Sequence, residues 1–172
     1  MKKILFTGLL LLLIAPILKA QPQTGDYLTN SNIDKFVGTW LWQSGNNSVT
    51  IQLKKVKFAY SSPVYYEDVL FGSHCFIENG SVTESTLGDF SMVGPLKKSS
   101  ISLYNDPAGS ADKVTGYIKN ISLNKKMVRL DLEYVAGTIP QLLWNLSEMN
   151  YTKVSPETAG FTLPQTITLI RQ

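Results

Sequence analysis

Met127-Val128-Arg129-Leu130-Asp131-Leu132-Glu133-Tyr134 is the stretch that decides the fold class. Val128, Leu130, Leu132 and Tyr134 fall on one side of it, and Arg129, Asp131 and Glu133 on the other. A side-chain period of two belongs to a β-strand, and one apolar plus one charged side makes a sheet with a single wet face. The same alternation runs through residues 49–58, where Val49, Ile51 and Leu53 alternate with Thr50, Gln52 and Lys54. Shorter apolar stretches predict further strands over 36–43, 65–77, 81–86, 99–104, 113–123, 142–149 and 165–171. Past Tyr27 there is no long amphipathic helical pattern.

Turn chemistry separates these stretches, because Gly and Asn accept positive φ and Pro presets φ for a turn. Ser44-Gly45-Asn46-Asn47, Glu78-Asn79-Gly80, Asn105-Asp106-Pro107-Ala108-Gly109 and Asn124-Lys125-Lys126 occupy those positions, and residues 151–164 read as a loop before the last strand. The expectation is an all-β chain forming a single antiparallel β-barrel of about eight to nine strands, with a two-sheet β-sandwich as the alternative.

Residues 1–20 read differently. Lys2 and Lys3 precede an apolar run from Ile4 to Leu18 that ends at Ala20, the three-part signature of a secretory signal peptide, too short for a membrane span. The predicted organisation is a signal over 1–20 and one β-barrel domain over 21–172, with no membrane span after cleavage. Gln21 stands where a lipoprotein would carry Cys, so the expected product is exported, periplasmic or secreted from a bacterium, without a lipid anchor. Three of the sixteen basic residues lie in that segment, and the remaining thirteen balance thirteen acidic ones. A neutral chain gives no argument for nucleic acid, which needs clustered Lys and Arg. The single Cys75 allows no internal disulfide, and a monomer stabilised by its core is expected. Asn46, Asn79, Asn120, Asn145 and Asn150 head Asn-x-Ser/Thr sequons, read as chance features of a bacterial surface rather than glycan sites.

Asn32-Ile33-Asp34-Lys35-Phe36-Val37-Gly38-Thr39-Trp40 is the most specific segment. Gly38 permits a close backbone approach at a bend, and Trp40 beside it fills space. The segment resembles the opening of lipocalin and related calycin barrels, where a 3₁₀ turn leads into a strand whose Trp plugs one barrel end under a late-strand Arg. The resemblance implies a plug of Gly38, Trp40 and Arg171. Arg129, the other arginine, falls on the wet face with Asp131 and Glu133. The layout is also similar to an uncharacterised family of small secreted bacterial proteins of unknown function.

Chemistry has little material. His74 and Cys75 are adjacent on a strand, so their side chains point apart and cannot share the hydrogen bond a nucleophile and base need. The expected arrangement is Cys75 as a small buried apolar residue, with His74 on the other face. Glu67 and Asp68 face apart for the same reason. One His and one Cys cannot fill a zinc site, and Asp106 and Asp112 lack the spacing of a calcium loop. No catalytic residue, cofactor or metal is expected. The leading functional expectation is a secreted, non-enzymatic, lipocalin-like protein enclosing a small apolar or amphipathic ligand, lined by Trp42, Tyr66, Phe71, Leu130, Leu132, Tyr134 and Trp144. These residues would be plain core in the alternative, an extracellular or periplasmic module with a filled interior that binds a protein partner.

Overall fold

The computed structural model describes residues 21–93, 98–124, 126–149 and 160–172. The expected signal over 1–20, the Asn150 sequon and most of the 151–164 loop lie outside the described residues. The strands are β1 (Tyr27–Leu28), β2 (Gly38–Ser44), β3 (Asn47–Ser61), β4 (Val64–Glu78), β5 (Ser81–Ser85), β6 (Ile101–Asn105), β7 (Lys113–Asn120), β8 (Lys126–Val135), β9 (Gln141–Ser147) and β10 (Thr166–Arg171). Eight of them close an antiparallel barrel in the order β4-β3-β2-β10-β9-β8-β7-β6, with β6 returning to β4; β1 and β5 lie outside. Closure sets aside the sandwich alternative.

Two meanders make up this barrel, β2–β4 and β6–β10, each built from neighbours in sequence. They meet at two seams. One has the register pairs Ile170–Leu41 and Arg171–Trp40. The other has Leu70–Leu103, Phe71–Ser102 and Gly72–Ile101. The edge of β4 is shared by three strands in succession: β1 beside Tyr66 and Glu67, β6 beside Leu70 to Gly72, and β5 beside Cys75 to Glu78. Between β5 and β6 the chain leaves the sheet through a 3₁₀ turn, Leu87–Met92.

Alternation carries the core. Trp40 of β2, Val49, Ile51 and Leu53 of β3, Leu70 and Phe76 of β4, Val128, Leu130 and Leu132 of β8, Leu142, Trp144 and Leu146 of β9, and Leu169 of β10 belong to one buried cluster. Gly116 of β7 points the same way as Val114 and Ile118 and must be glycine, because a Cβ there would sit 2.0 Å from the Ser102 carbonyl oxygen. Its missing side chain permits this close strand approach.

Several expectations are corrected. Phe36 ends a 3₁₀ turn, Asn32–Phe36, rather than starting a strand, and β2 begins at Gly38. The strand expected over 113–123 stops at Asn120; Ile121–Leu123 is a 3₁₀ turn ending on left-handed Asn124 (φ +54°). Phe71 is no lining residue. On β4 it alternates with inward Leu70 and Gly72, so it faces out and packs with Val69 and Val93 in a separate cluster that includes Phe90 of the 3₁₀ turn. Tyr66 lies beyond the stretch paired by β6, beside β1, with its ring 4.2 Å from Lys57 Nζ. His74 and Cys75 do point apart, but His74 is the buried one, with no exposed surface, and Cys75 is half-buried.

Candidate functional site

At the first seam Arg171 Cζ stands 5.4 Å from the Trp40 ring centre. Its Nη2 donates to the Val37 carbonyl at 2.8 Å, and Trp40 Nε1 donates to the Phe36 carbonyl at 2.8 Å. Gly38 turns with φ +131°, a value that favours glycine, and its missing Cβ would face the guanidinium at 3.5 Å. Tyr134 adds edge contacts to Phe36 and Trp40. Leu130, Leu132 and Trp144 are at most 1% exposed and pack in the same cluster, with half-buried Trp42 and Tyr134 against it. Of the residues expected to line a cavity, Trp42, Leu130, Leu132, Tyr134 and Trp144 therefore pack into the core cluster, and Tyr66 and Phe71 do not.

The second seam holds chemistry. His74 shares the inward face of β4 with Leu70 and Phe76, so its ring is carried into the core, where both nitrogens need partners. Nδ1 lies 2.7 Å from Ser100 Oγ and Nε2 lies 2.8 Å from Glu84 Oε1. Glu84 comes from β5. Ser100 directly precedes β6, with its N–H on the Gly72 carbonyl. Glu84 Oε2 accepts from Asn120 Nδ2 at 2.9 Å and from the Ser122 N–H at 2.7 Å. Asn120 is oriented in turn by the Thr162 N–H, which donates to its Oδ1 at 2.9 Å. Asn120 has no exposed surface, so its sequon is no glycan site.

Donor counting orients the hydrogen bonds of the neutral imidazole. Burial pushes the Glu84 carboxyl up, but the hydrogen bonds from His74 and Ser122 outweigh that and hold it below the usual carboxylate range. An ionised carboxylate only accepts, so His74 Nε2 carries a hydrogen, and in the neutral ring Nδ1 is the acceptor. Ser100 Oγ–H then donates to Nδ1. With that tautomer Ser100 Oγ accepts from Thr86 Oγ1, 2.8 Å away, and Thr86 Oγ1 accepts the His74 N–H at 3.0 Å. The result is one directed chain from Thr86 through Ser100 and His74 to Glu84.

A pocket of about 510 Å³ opens beside this chain, lined by Thr86, Asp89, Lys98, Ser99, Ser100, Lys119 and Ile121. Lys119 Nζ donates to the Ser99 carbonyl at 2.8 Å, and Lys98 Nζ pairs with Asp89 at 3.0 Å. The sequence singled out neither Ser100 nor Glu84, and Asn120 only as a sequon, because they lie 26, 10 and, from Glu84, 36 residues away from their partners. One signal was present: His74 is in phase with Leu70 and Phe76, and a histidine on an apolar face requires buried partners.

The carboxylate pair Glu67 and Asp68 divides as alternation requires. Buried Asp68 accepts from Tyr27 Oη at 2.6 Å and from the Asn30 N–H at 3.0 Å, whereas Glu67 accepts from Asn105 Nδ2 at 2.9 Å. The two do not work on a common site.

No curated protein and no solved structure matches the chain. The chain belongs to a family of unknown function (DUF6705), whose model matches residues 1–172.

Proposed function

We propose that the protein is an exported β-barrel that binds a small amphipathic molecule in the seam pocket between β5 and β6, rather than in the barrel interior. One observation carries this reading: the interior is occupied by its own side chains, while a pocket of about 510 Å³ with two lysines stands at the second seam. That size suits a small ligand, for which sites span about 300–1,000 Å³. Ile121 and the lysine stems offer apolar wall and the ammonium groups of Lys98 and Lys119 attract an anionic end, so a short-chain carboxylate or its ester is the fitting class. The basic start and apolar run of residues 1–20 support export, and the lipocalin-like opening supports a binding protein.

Calorimetry with decanoate on residues 21–172 tests the site. The expected outcome is saturable binding that weakens at least tenfold in Lys119→Ala, about 1.4 kcal/mol. Binding that is unchanged in Lys119→Ala and Lys98→Ala but lost on a substitution inside the barrel overturns it. A second reading, a module for a protein partner, draws on Tyr27, Leu28 and Val64, which stand more than two-fifths exposed near the projecting β3–β4 hairpin. A specific protein retained from the exported fraction, in place of a small molecule, favours that reading.

A further inference from the structure

We propose that Ser100, His74 and Glu84 form a nucleophilic centre at the floor of the seam pocket, which transfers the acyl group of small carboxylic esters to water. The inference rests on the pocket being a ligand site and adds a reaction to it. Three features carry it. Ser100 lines the pocket while its Oγ lies 2.7 Å from an imidazole nitrogen. In the neutral ring that nitrogen is the acceptor, because the other is committed as donor to Glu84 at 2.8 Å. The carboxylate is itself held by Asn120 and Ser122, so it cannot turn away. A nucleophile, a base on it and a group orienting the base, each within hydrogen-bond reach, is the arrangement that activates a serine, whatever its order in the chain.

The step balances within these groups. Ser100 Oγ attacks the ester carbonyl carbon and gives its proton to His74 Nδ1, and the imidazolium is stabilised by Glu84. The Oγ–C bond forms, the bond from carbon to the leaving alkoxide oxygen breaks, and that oxygen takes the proton from Nδ1. Water then adds to the acyl carbon, passes a proton to Nδ1, and the acyl–Oγ bond breaks as Ser100 recovers its hydrogen and the free carboxylic acid leaves. Lys119, on the carbonyl of neighbouring Ser99, supplies positive charge beside the developing oxyanion. Ser100 is only 2% exposed, which restricts the acyl group to a small one. Glu84 is a positioning residue, fixing which ring nitrogen faces Ser100.

A small fluorophosphonate tests this on folded residues 21–172, since Ser100 Oγ would displace fluoride and keep the phosphonyl group. The expected result is one adduct per chain, mapped to Ser100 by peptide mass spectrometry. Ser100→Ala gives no adduct while keeping its near-ultraviolet circular dichroism. Glu84→Gln labels about 100-fold slower or less, the low end of general-base assistance. An adduct at another residue, or Glu84→Gln labelling as fast as the parent, overturns the centre. Parent protein that binds decanoate but gives no Ser100 adduct overturns the centre and leaves the pocket; parent protein that does neither overturns both.

Discussion

Glu84→Gln and Glu84→Ala separate a directed hydrogen-bond chain from simple polar filling. Alanine leaves two donors without their acceptor, His74 Nε2–H and the Ser122 N–H, whereas Asn120 Nδ2 keeps Ser122 Oγ and Thr162 Oγ1. An unmatched buried donor costs about 1–3 kcal/mol, so two of them with the space left by the side chain cost about 3 kcal/mol or more, a large part of the 5–15 kcal/mol a domain of this kind has. Glutamine behaves differently because the chain can run backwards. With the oxygen of the substituted side-chain amide on Asn120 and Ser122, its N–H faces His74 Nε2, which becomes the acceptor. His74 Nδ1–H then donates to Ser100, Ser100 to Thr86 Oγ1, and Thr86 to the His74 carbonyl, 3.3 Å away. The groups of the chain keep their partners and one amide N–H of the glutamine is left over, so the cost is the step from charge-assisted to neutral hydrogen bonds with that one unmatched donor, about 2 kcal/mol and below that of alanine. His74 is the only histidine in the chain, so ¹⁵N-histidine labelling shows this one ring. The parent protein should carry its proton on Nε2 and Glu84→Gln on Nδ1, with urea unfolding giving the two stabilities. A parent proton on Nδ1, or a glutamine variant as unstable as the alanine variant, refutes the reasoning.

Other consequences are open to measurement. The folded-state carboxyls of Glu84 and Asp68 are both held below their ordinary range: burial raises each, but hydrogen bonds from His74 and Ser122, and from Tyr27 and Asn30, outweigh it. A depressed folded-state value contributes stability that is complete above the unfolded carboxylate value of about 4 and is lost as pH falls through the folded value. Urea midpoints should therefore hold from pH 7 to 5 and decline steadily below about 4, with a shallower decline in Glu84→Gln. Arg171→Ala should cost about 1–2 kcal/mol in the same assay, through the lost indole contact and the bond to Val37, and Arg171→Lys should restore only part of it. Gly116→Ala forces a Cβ against the Ser102 carbonyl and the Leu103 backbone, which cannot rotate away, and should cost about 1–3 kcal/mol, read as a lowered Tm.

Most of the wall was legible because alternation states directly which side chain is inside: Val128, Leu130 and Leu132 are buried where the pattern put them, and Arg129 is exposed beside Asp131. The Trp40–Arg171 contact was reachable because a family pattern supplied the long-range pair. What failed was whatever depends on a neighbour strand. β1 spans two residues, Tyr27 and Leu28, too few to show any period. Phe71 is as apolar as Leu70, but the core buries Leu70 while Phe71 packs on the outer face of β4 with Val69, Val93 and Phe90. The centre at His74 was hidden because serine and glutamate are ordinary surface residues until a strand order brings them to one imidazole.

The two-meander construction also governs how the barrel opens. Within each meander neighbouring strands pair through longer ladders; β3 alone registers with β4 from Ser48 to Ser61. The seams have only a few ladder partners each, so the sub-global opening of lowest free energy is separation of the halves, like a clam parting along one side. Each seam carries its own clasp, the guanidinium over Trp40 on one side and the imidazole chain on the other. Parting at either exposes two strand edges at once, the surfaces on which chains add to one another. The amides of Ile101 to Leu103 should exchange ahead of those buried in the β3–β4 ladder, and weakening a clasp should promote edge-to-edge association before the chain unfolds.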